Sequence, residues 1–83
     1  MNDTEVRARN AAQLLENPML QEALELIERE AVTAWMGTRL DDTATRERLW
    51  MQVKAAQRVR EVLQGAVDSG RFEAGRAARS PLP

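Results

Sequence analysis

Apolar residues recur at intervals of three and four between positions 18 and 36. They are Leu20, Ala23, Leu24, Ile27, Ala31, Ala34 and Trp35. This spacing predicts a helix with one apolar face over 18–36, because an α-helix completes a turn in about 3.6 residues. Asn17 and Pro18 mark its start, since proline suits the first helical position and asparagine can cap it. Gly37 is predicted to end the helix in the left-handed conformation.

A second apolar stripe predicts a helix over 43–68. Its members are Leu49, Val53, Ala56, Val59, Leu63, Ala66 and Val67. Asp42 or Thr43 is predicted to cap this helix, and Gly70 to stop it. The connection between the two helices is short and polar, which favours an antiparallel helical hairpin.

The register of that hairpin follows from folding the chain about the connection. Every facing pair is then apolar, which supports this register: Trp35 with Leu49, Ala31 with Val53, Ile27 with Ala56, and Leu20 with Leu63.

The remaining segments complete an all-α prediction. Residues 4–16 predict a short N-terminal helix capped by Asp3 or Thr4. This helix and the hairpin are predicted to form one domain over 1–70. Residues 71–83 are rich in arginine, alanine and proline and are predicted to be a flexible tail. A chain of 83 residues is near the size at which one core barely offsets the entropy of folding. Because the apolar faces are too wide for one hairpin to cover, we expect a homodimer that forms a helical bundle.

Charge is distributed unevenly between the two long helices. Residues 17–36 carry four glutamates and one arginine, a net of −3, whereas 45–64 carry five basic and two acidic residues, a net of +3. The whole chain has a net charge of −1, so no global field favours a nucleic acid or a membrane. No apolar run approaches the roughly 20 residues of a membrane span. With a polar, acidic N-terminus and no cysteine, the chain is expected to be cytoplasmic.

The residues that usually carry catalysis are scarce. The sequence has no histidine and no cysteine, and its four glycines form no phosphate-binding loop. Glu22, Glu25 and Glu28 are predicted to lie on a solvated face, and Asp41 and Asp42 to serve the loop and the helix cap. We therefore expect no enzyme activity, no cofactor, no metal and no small-molecule substrate.

The two tryptophans have different predicted roles. Trp35 closes the apolar stripe and is expected to pack in the core. Trp50 lies about 100° around the helix from Leu49. It either covers the end of the hairpin, packs under the first helix, or anchors another protein chain.

Charged residues near the apolar stripes extend this candidate interface. Arg46 and Lys54 are predicted to surround Trp50. Arg60, placed opposite Ala23, and Glu30 lie within or beside the stripes. Their charged ends either reach solvent or make a polar contact that fixes the register of an oligomer. The predicted partner interface is Trp50, Arg46, Lys54, Arg60 and Glu30.

Nucleic-acid binding is an alternative that rests on the C-terminal segment. Arg71, Arg76 and Arg79 give 71–83 a net charge of +2 after Glu73 is counted.

Three stretches resemble a known group of proteins. Residues 14–23 (LLENPMLQEA), Trp35, residues 46–50 (RERLW) and Gly70 are similar to short helical proteins encoded among the head and DNA-packaging genes of bacteriophages and prophages. The resemblance covers about 14–70 and implies a part in virion assembly or packaging, in the host cytoplasm or in the virion. It implies no catalytic residue.

The sequence therefore predicts a protein–protein interaction module of phage origin that acts through helix–helix contacts. Its partners are expected to be a second copy of the chain and another protein. Two alternatives stay open, a nucleic-acid-binding packaging subunit and an inhibitor of a host enzyme.

Overall fold

The computed structural model describes the backbone of residues 2–79 and the side chains of residues 2–76. Three helices make up this part of the chain: α1 (Asp3–Leu15), α2 (Pro18–Met36) and α3 (Thr43–Arg79). No strand occurs among the described residues, and the all-α prediction is confirmed. The molecule is elongated, with extents of 67 × 24 × 15 Å.

The break between α1 and α2 is made by local side-chain chemistry, as predicted. The Asn17 side chain accepts hydrogen bonds from the backbone N–H groups of Met19 and Leu20, at 2.8 and 3.2 Å. The first backbone N–H groups of a helix have no partner within the helix. These contacts satisfy two of them, and Pro18 has no N–H group to satisfy. The Gln21 side chain also donates to the Leu15 carbonyl at 2.6 Å, which ties the end of α1 to the start of α2.

The other helix ends agree only in part with the sequence. Asp42 caps α3 as predicted, since its carboxylate accepts from the Thr45 amide at 3.3 Å. The cap of α1 is Asn2, one residue earlier than predicted. Gly37 ends α2, but with a φ of −87° rather than in the left-handed region. Its amide instead closes a tight turn onto the Ala34 carbonyl at 3.1 Å.

Helix α3 is longer than the sequence predicted. It continues past Gly70 to Arg79, so the prediction of a stop near residue 68 was wrong, and residues 71–79 are helical. Gly70 is buried where α1 crosses α3, and it lies against Ala8 and the carbonyl of Thr4. A glycine inside a helix weakens it, but here the missing side chain allows two backbones to approach. Residues 80–83, the end of the predicted tail, lie outside the described residues.

The two shorter helices pack one after the other along α3. Leu14 and Ala11 of α1 share a groove with Val62 and Leu63 in the second half of α3. Ala31 and Trp35 of α2 share an apolar cavity with residues of the first half, Leu49 and Val53 among them. Both α1 and α2 therefore run antiparallel to α3.

The buried positions follow a seven-residue spacing. On α3 they are Leu49, Ala56 and Gly70, which lie at multiples of seven from one another; on α2, Leu24 and Ala31 are seven apart. A seven-residue repeat keeps the same face of each helix towards its neighbour along a slightly supercoiled pair.

This packing covers only one face of each helix. No side chain larger than leucine is buried among the described residues. Several residues of the predicted stripes remain exposed, among them Ile27 at 46% and Val59 at 42%. Trp35 is also 39% exposed, so the prediction that it packs in the core was wrong. The physical reason is the two-layer arrangement, because residues on the flanks of the stripes have no third helix to cover them.

Candidate protein-binding surface

One ion pair joins α2 to α3 near the middle of the molecule. The Arg60 guanidinium donates a hydrogen bond to the Glu28 carboxylate, and both side chains are largely covered, with 29% and 26% of their surfaces exposed. The prediction that Glu28 lies on a solvated face was wrong, and Arg60 faces Glu28 rather than Ala23. Glu28 falls in the same three-four spacing as Leu24 and Ala31, which places it at the contact between the helices. Arg60 is thus bound within its own chain.

Trp35 and Arg46 are held together at the loop end of the α2–α3 pair. The Arg46 guanidinium carbon lies 3.9 Å from the centre of the Trp35 ring, the geometry of a cation–π contact. The same guanidinium donates to the Thr38 hydroxyl at 2.8 Å, and that hydroxyl donates to the Trp35 carbonyl at 2.6 Å. These contacts fix the orientation of the Trp35 ring while leaving part of its surface accessible.

Trp50 lies beside Trp35 and is more exposed, at 57%. The Lys54 ammonium group lies 4.9 Å from the centre of its ring. The alternative in which the first helix covers Trp50 is wrong. Helix α1 contacts α3 from Val62 onwards, and twelve residues of helix correspond to about 18 Å.

The two indole rings border one open groove. It has a volume of about 280 Å³ and is lined by Trp35, Thr43, Arg46, Glu47 and Trp50; we refer to it as the tryptophan groove. A small, wholly apolar cavity of about 50 Å³ lies next to it, between Val32, Trp50 and the core residues Ala31 and Leu49. The groove therefore offers two aromatic rings, one cation and one carboxylate around a space that is open to solvent.

Other large apolar side chains are exposed at the same end of the molecule. They are Val32, Met36, Leu40 and Met51. Large exposed apolar patches are uncommon on monomeric soluble proteins and usually mark interaction sites.

In the loop between α2 and α3, a hydrogen bond from Arg39 lowers the pKa of the Asp41 carboxyl, and the two side chains form an ion pair at 3.0 Å.

A second exposed surface lies on one side of α3, and it includes Val59 and Ala66, which the sequence placed in the core stripe of this helix. Gln52, Ala55, Val59, Val62, Ala66 and Ser69 repeat at intervals of three and four and carry no charge. The signal was present in the sequence as a second stripe adjacent to the buried one. Val62, at 51% exposure, and Ala66 line the grooves between α1 and α3 together with Leu14.

Helix α2 contributes to the same side. Ile27 lies about 60° to one side of Leu24, and Val32 about 80° to the other. On α3, Val59 likewise lies about 60° to one side of Ala56.

A groove between α2 and α3 that Val32 borders shows which residues of the two helices lie on the same side of the molecule. Gln57, on the other side of α3 from Val59, lines this groove together with Val32. Ile27 and Val59 therefore lie together on the opposite side of the molecule. We call this surface the lateral face and define it by its exposed large apolar residues, Leu14, Ile27, Val59 and Val62.

The predicted interface residues thus fall into three groups. Trp50 and Arg46 line the tryptophan groove, and Lys54 lies over the Trp50 ring. Glu30 is exposed and falls at the three-four spacing of Ile27, beside the lateral face. Arg60 takes part in the internal ion pair and belongs to neither surface.

The basic residues of the C-terminal segment do not converge. Arg71 and Arg76 are both exposed on α3, and five residues separate them by about 140° around the helix. Arg76 also lies 3.8 Å from the Glu73 carboxylate. The side chain of Arg79 lies outside the described residues. Within the described part of the chain, these positions form no continuous basic face.

Neither a metal centre nor a membrane span emerges from the described residues. No group of three or more histidine, cysteine, aspartate or glutamate side chains in this part of the chain could hold a metal ion. No helix within residues 2–79 combines the length and the apolar character needed to cross a bilayer.

Comparison of the chain with protein-family models, curated proteins and solved structures finds no match.

Proposed function

We propose that this chain is a non-enzymatic protein–protein interaction module that binds another protein through the tryptophan groove and self-associates as a helical hairpin. The observation that carries the proposal is the pair of partly exposed indole rings, Trp35 and Trp50, at one end of the molecule. Tryptophan is favoured at the energetic centres of protein interfaces, because one rigid side chain buries a large area.

The arrangement of the groove supports a role in binding. Arg46 and Thr38 hold the Trp35 ring in one orientation, so little side-chain freedom remains to be lost on association. Trp50 projects beside it with more than half of its surface accessible. An apolar side chain of a partner inserted between the rings would displace water from both of them.

We propose a phage setting for this activity on the sequence resemblance alone. The similarity of residues 14–70 to phage head and packaging proteins favours a partner among the proteins that assemble the virion or package its DNA. The absence of histidine and cysteine from the sequence supports a binding role rather than a catalytic one.

The partner proposal is tested by co-expression with the products of the neighbouring genes. The tagged chain is captured as wild type, as Trp50→Ala and as Phe72→Ala. Phe72 is the matched control, because it is an aromatic residue of α3 with similar exposure (60% against 57%) that does not line the groove. We expect Trp50→Ala to weaken capture of the partner by about 30-fold or more, since interface anchors contribute about 2 kcal/mol. Phe72→Ala should bind as the wild type does.

Circular dichroism decides whether Trp50 acts in binding or in folding. Trp50→Ala should keep the helical signal, because the ring is largely exposed. Unfolding of this variant, or unchanged capture of the partner, contradicts the proposal. Capture of a host enzyme instead of a phage protein, with the same dependence on Trp50, would replace the assembly role by inhibition. A gel shift with DNA at low salt that is lost in Arg71→Ala would favour the packaging-subunit alternative.

A further inference from the structure

The molecule exposes more surface than a compact chain of its mass. Its accessible surface is 6563 Å², whereas a folded monomer of this mass exposes about 5,000 Å². The excess is about 1,500 Å² and exceeds the roughly 800 Å² that each partner contributes to a standard interface. A partner that covers one face is therefore enough to bring the molecule to the exposure of an ordinary folded protein.

The lateral face is the surface best suited to a second copy. It is uncharged along α3 from Gln52 to Ser69, and Leu14, Ile27, Val59 and Val62 are each between 42% and 51% exposed. The groove on the opposite side is lined by three charged residues, Glu25, Glu28 and Arg29, whereas one charged residue, Arg7, lines the grooves beside Val62 and Ala66. A long interface between helices requires the apolar side.

The charges of the two helices select one arrangement of the pair. Two copies that meet through the same face around a two-fold axis have two choices. Either each helix lies against its own counterpart, or α2 of each copy lies against α3 of the other. In the first choice, residues 17–36 of one copy, with a net charge of −3, face the same acidic residues of the other copy. Residues 45–64, with a net charge of +3, also face their own basic counterparts. The second choice places the acidic α2 segment of each copy beside the basic α3 segment of the other, which favours it by electrostatic complementarity.

We infer that two copies of this chain join through their lateral faces with α2 of each copy against α3 of the other. The two-fold axis then runs along the molecule, and each helix lies antiparallel to both of its neighbours in a four-helix arrangement. Ile27 of one copy packs near Val59 of the other, because both residues lie at the same level of the α2–α3 pair. The tryptophan grooves of both copies lie at the same end of the dimer. The inference rests on the proposed self-association and specifies its geometry.

Engineered disulfides test this geometry directly, because the natural chain has no cysteine. A chain carrying Ile27→Cys and a differently tagged chain carrying Val59→Cys are mixed, exchanged and oxidised. A disulfide requires the two Cβ atoms to be about 3.5–4.5 Å apart. We expect the mixed disulfide to form at least ten times more abundantly than a disulfide between two copies of either variant. Thr33→Cys, on the solvent-exposed side of α2, is the control and should form none.

Self-disulfides measure the competing arrangement. Single cysteines at Ala55, Val59, Val62 and Ala66 are each oxidised alone. If α3 lies against α3 of the second copy, at least one of them forms an efficient self-disulfide, and that result overturns the inferred geometry. Light scattering on the reduced variants separates this outcome from failure of self-association. A dimer with self-disulfides contradicts only the geometry, whereas monomers throughout contradict the proposed self-association as well.

Discussion

Gly70 lies so close to Ala8 that the two helices meet backbone to backbone at this point. A Cβ atom on Gly70 would lie 3.7 Å from the Ala8 Cα and well inside van der Waals contact with the Ala8 methyl group. The contact holds α1 against the second half of α3. It also explains why a glycine, which the sequence alone indicated as a helix stop, lies within a continuous helix.

Gly70→Ala is expected to destabilise the chain in spite of its better helix propensity. Alanine improves a helix interior by about 1 kcal/mol, but overpacking at a tight contact costs about 1–3 kcal/mol. Gly65→Ala is the matched control, since nothing lies within 4 Å of a Cβ atom at that position. It should stabilise the chain by about 1 kcal/mol. Urea unfolding followed by circular dichroism measures both variants.

An exchange of the methyl group locates the cause of the loss. In the Ala8→Gly background, Gly70→Ala moves the methyl group from α1 to α3 and removes the clash. Adding the changes in unfolding free energy of the two single variants gives the stability expected without coupling. We expect the double variant to be more stable than this sum by about 1 kcal/mol or more. Strict additivity would show that Gly70 and Ala8 do not meet.

The ion pair between Glu28 and Arg60 is expected to contribute more than an exposed pair. A double-mutant cycle with Glu28→Gln and Arg60→Gln should give a coupling energy of about 1 kcal/mol, because partial burial reduces screening by solvent. The exposed pair of Arg58 and Glu61, 3.5 Å apart on α3, provides the comparison. It should give about 0.3 kcal/mol. Equal coupling in the two cycles would mean that Glu28 is as solvated as the sequence had indicated.

Asn17 is expected to contribute to stability through its two hydrogen bonds at the start of α2. Asn17→Ala should cost about 1 kcal/mol, and Asn17→Asp should cost little, because aspartate caps equally well. Asn10→Ala is the control, since Asn10 is exposed within α1 and caps no helix. If thermal unfolding gives the same midpoint for Asn17→Ala and the wild type, the Asn17 hydrogen bonds do not stabilise the start of α2.

Local chemistry could be predicted from the sequence because it depends on adjacent residues. The bounds of α2, the cap at Asn17 and the cap at Asp42 all follow from side chains next to the backbone groups that they satisfy. The tryptophan groove was partly predictable, since Trp50, Arg46 and Lys54 share one side of a single helix.

Features that depend on another helix could not be predicted in the same way. The role of Gly70 requires knowledge of where α1 crosses α3, and a lone glycine reads equally well as a stop. Glu28 was assigned to solvent by its charge, although its spacing from Leu24 already placed it at the helix contact. Trp35 was assigned to the core by its spacing, but with two layers of helices its outer edge stays uncovered.

Size-exclusion chromatography with light scattering, at micromolar concentration, measures whether two copies of the chain associate through the lateral face. It is applied to the wild type, to Val59→Glu on the lateral face and to Gln57→Glu on the opposite side. We expect twice the 9.4 kDa mass of one chain for the wild type and for Gln57→Glu. Val59→Glu should be a folded monomer with an unchanged helical circular dichroism signal. A wild-type chain that stays monomeric and folded at that concentration would contradict the account.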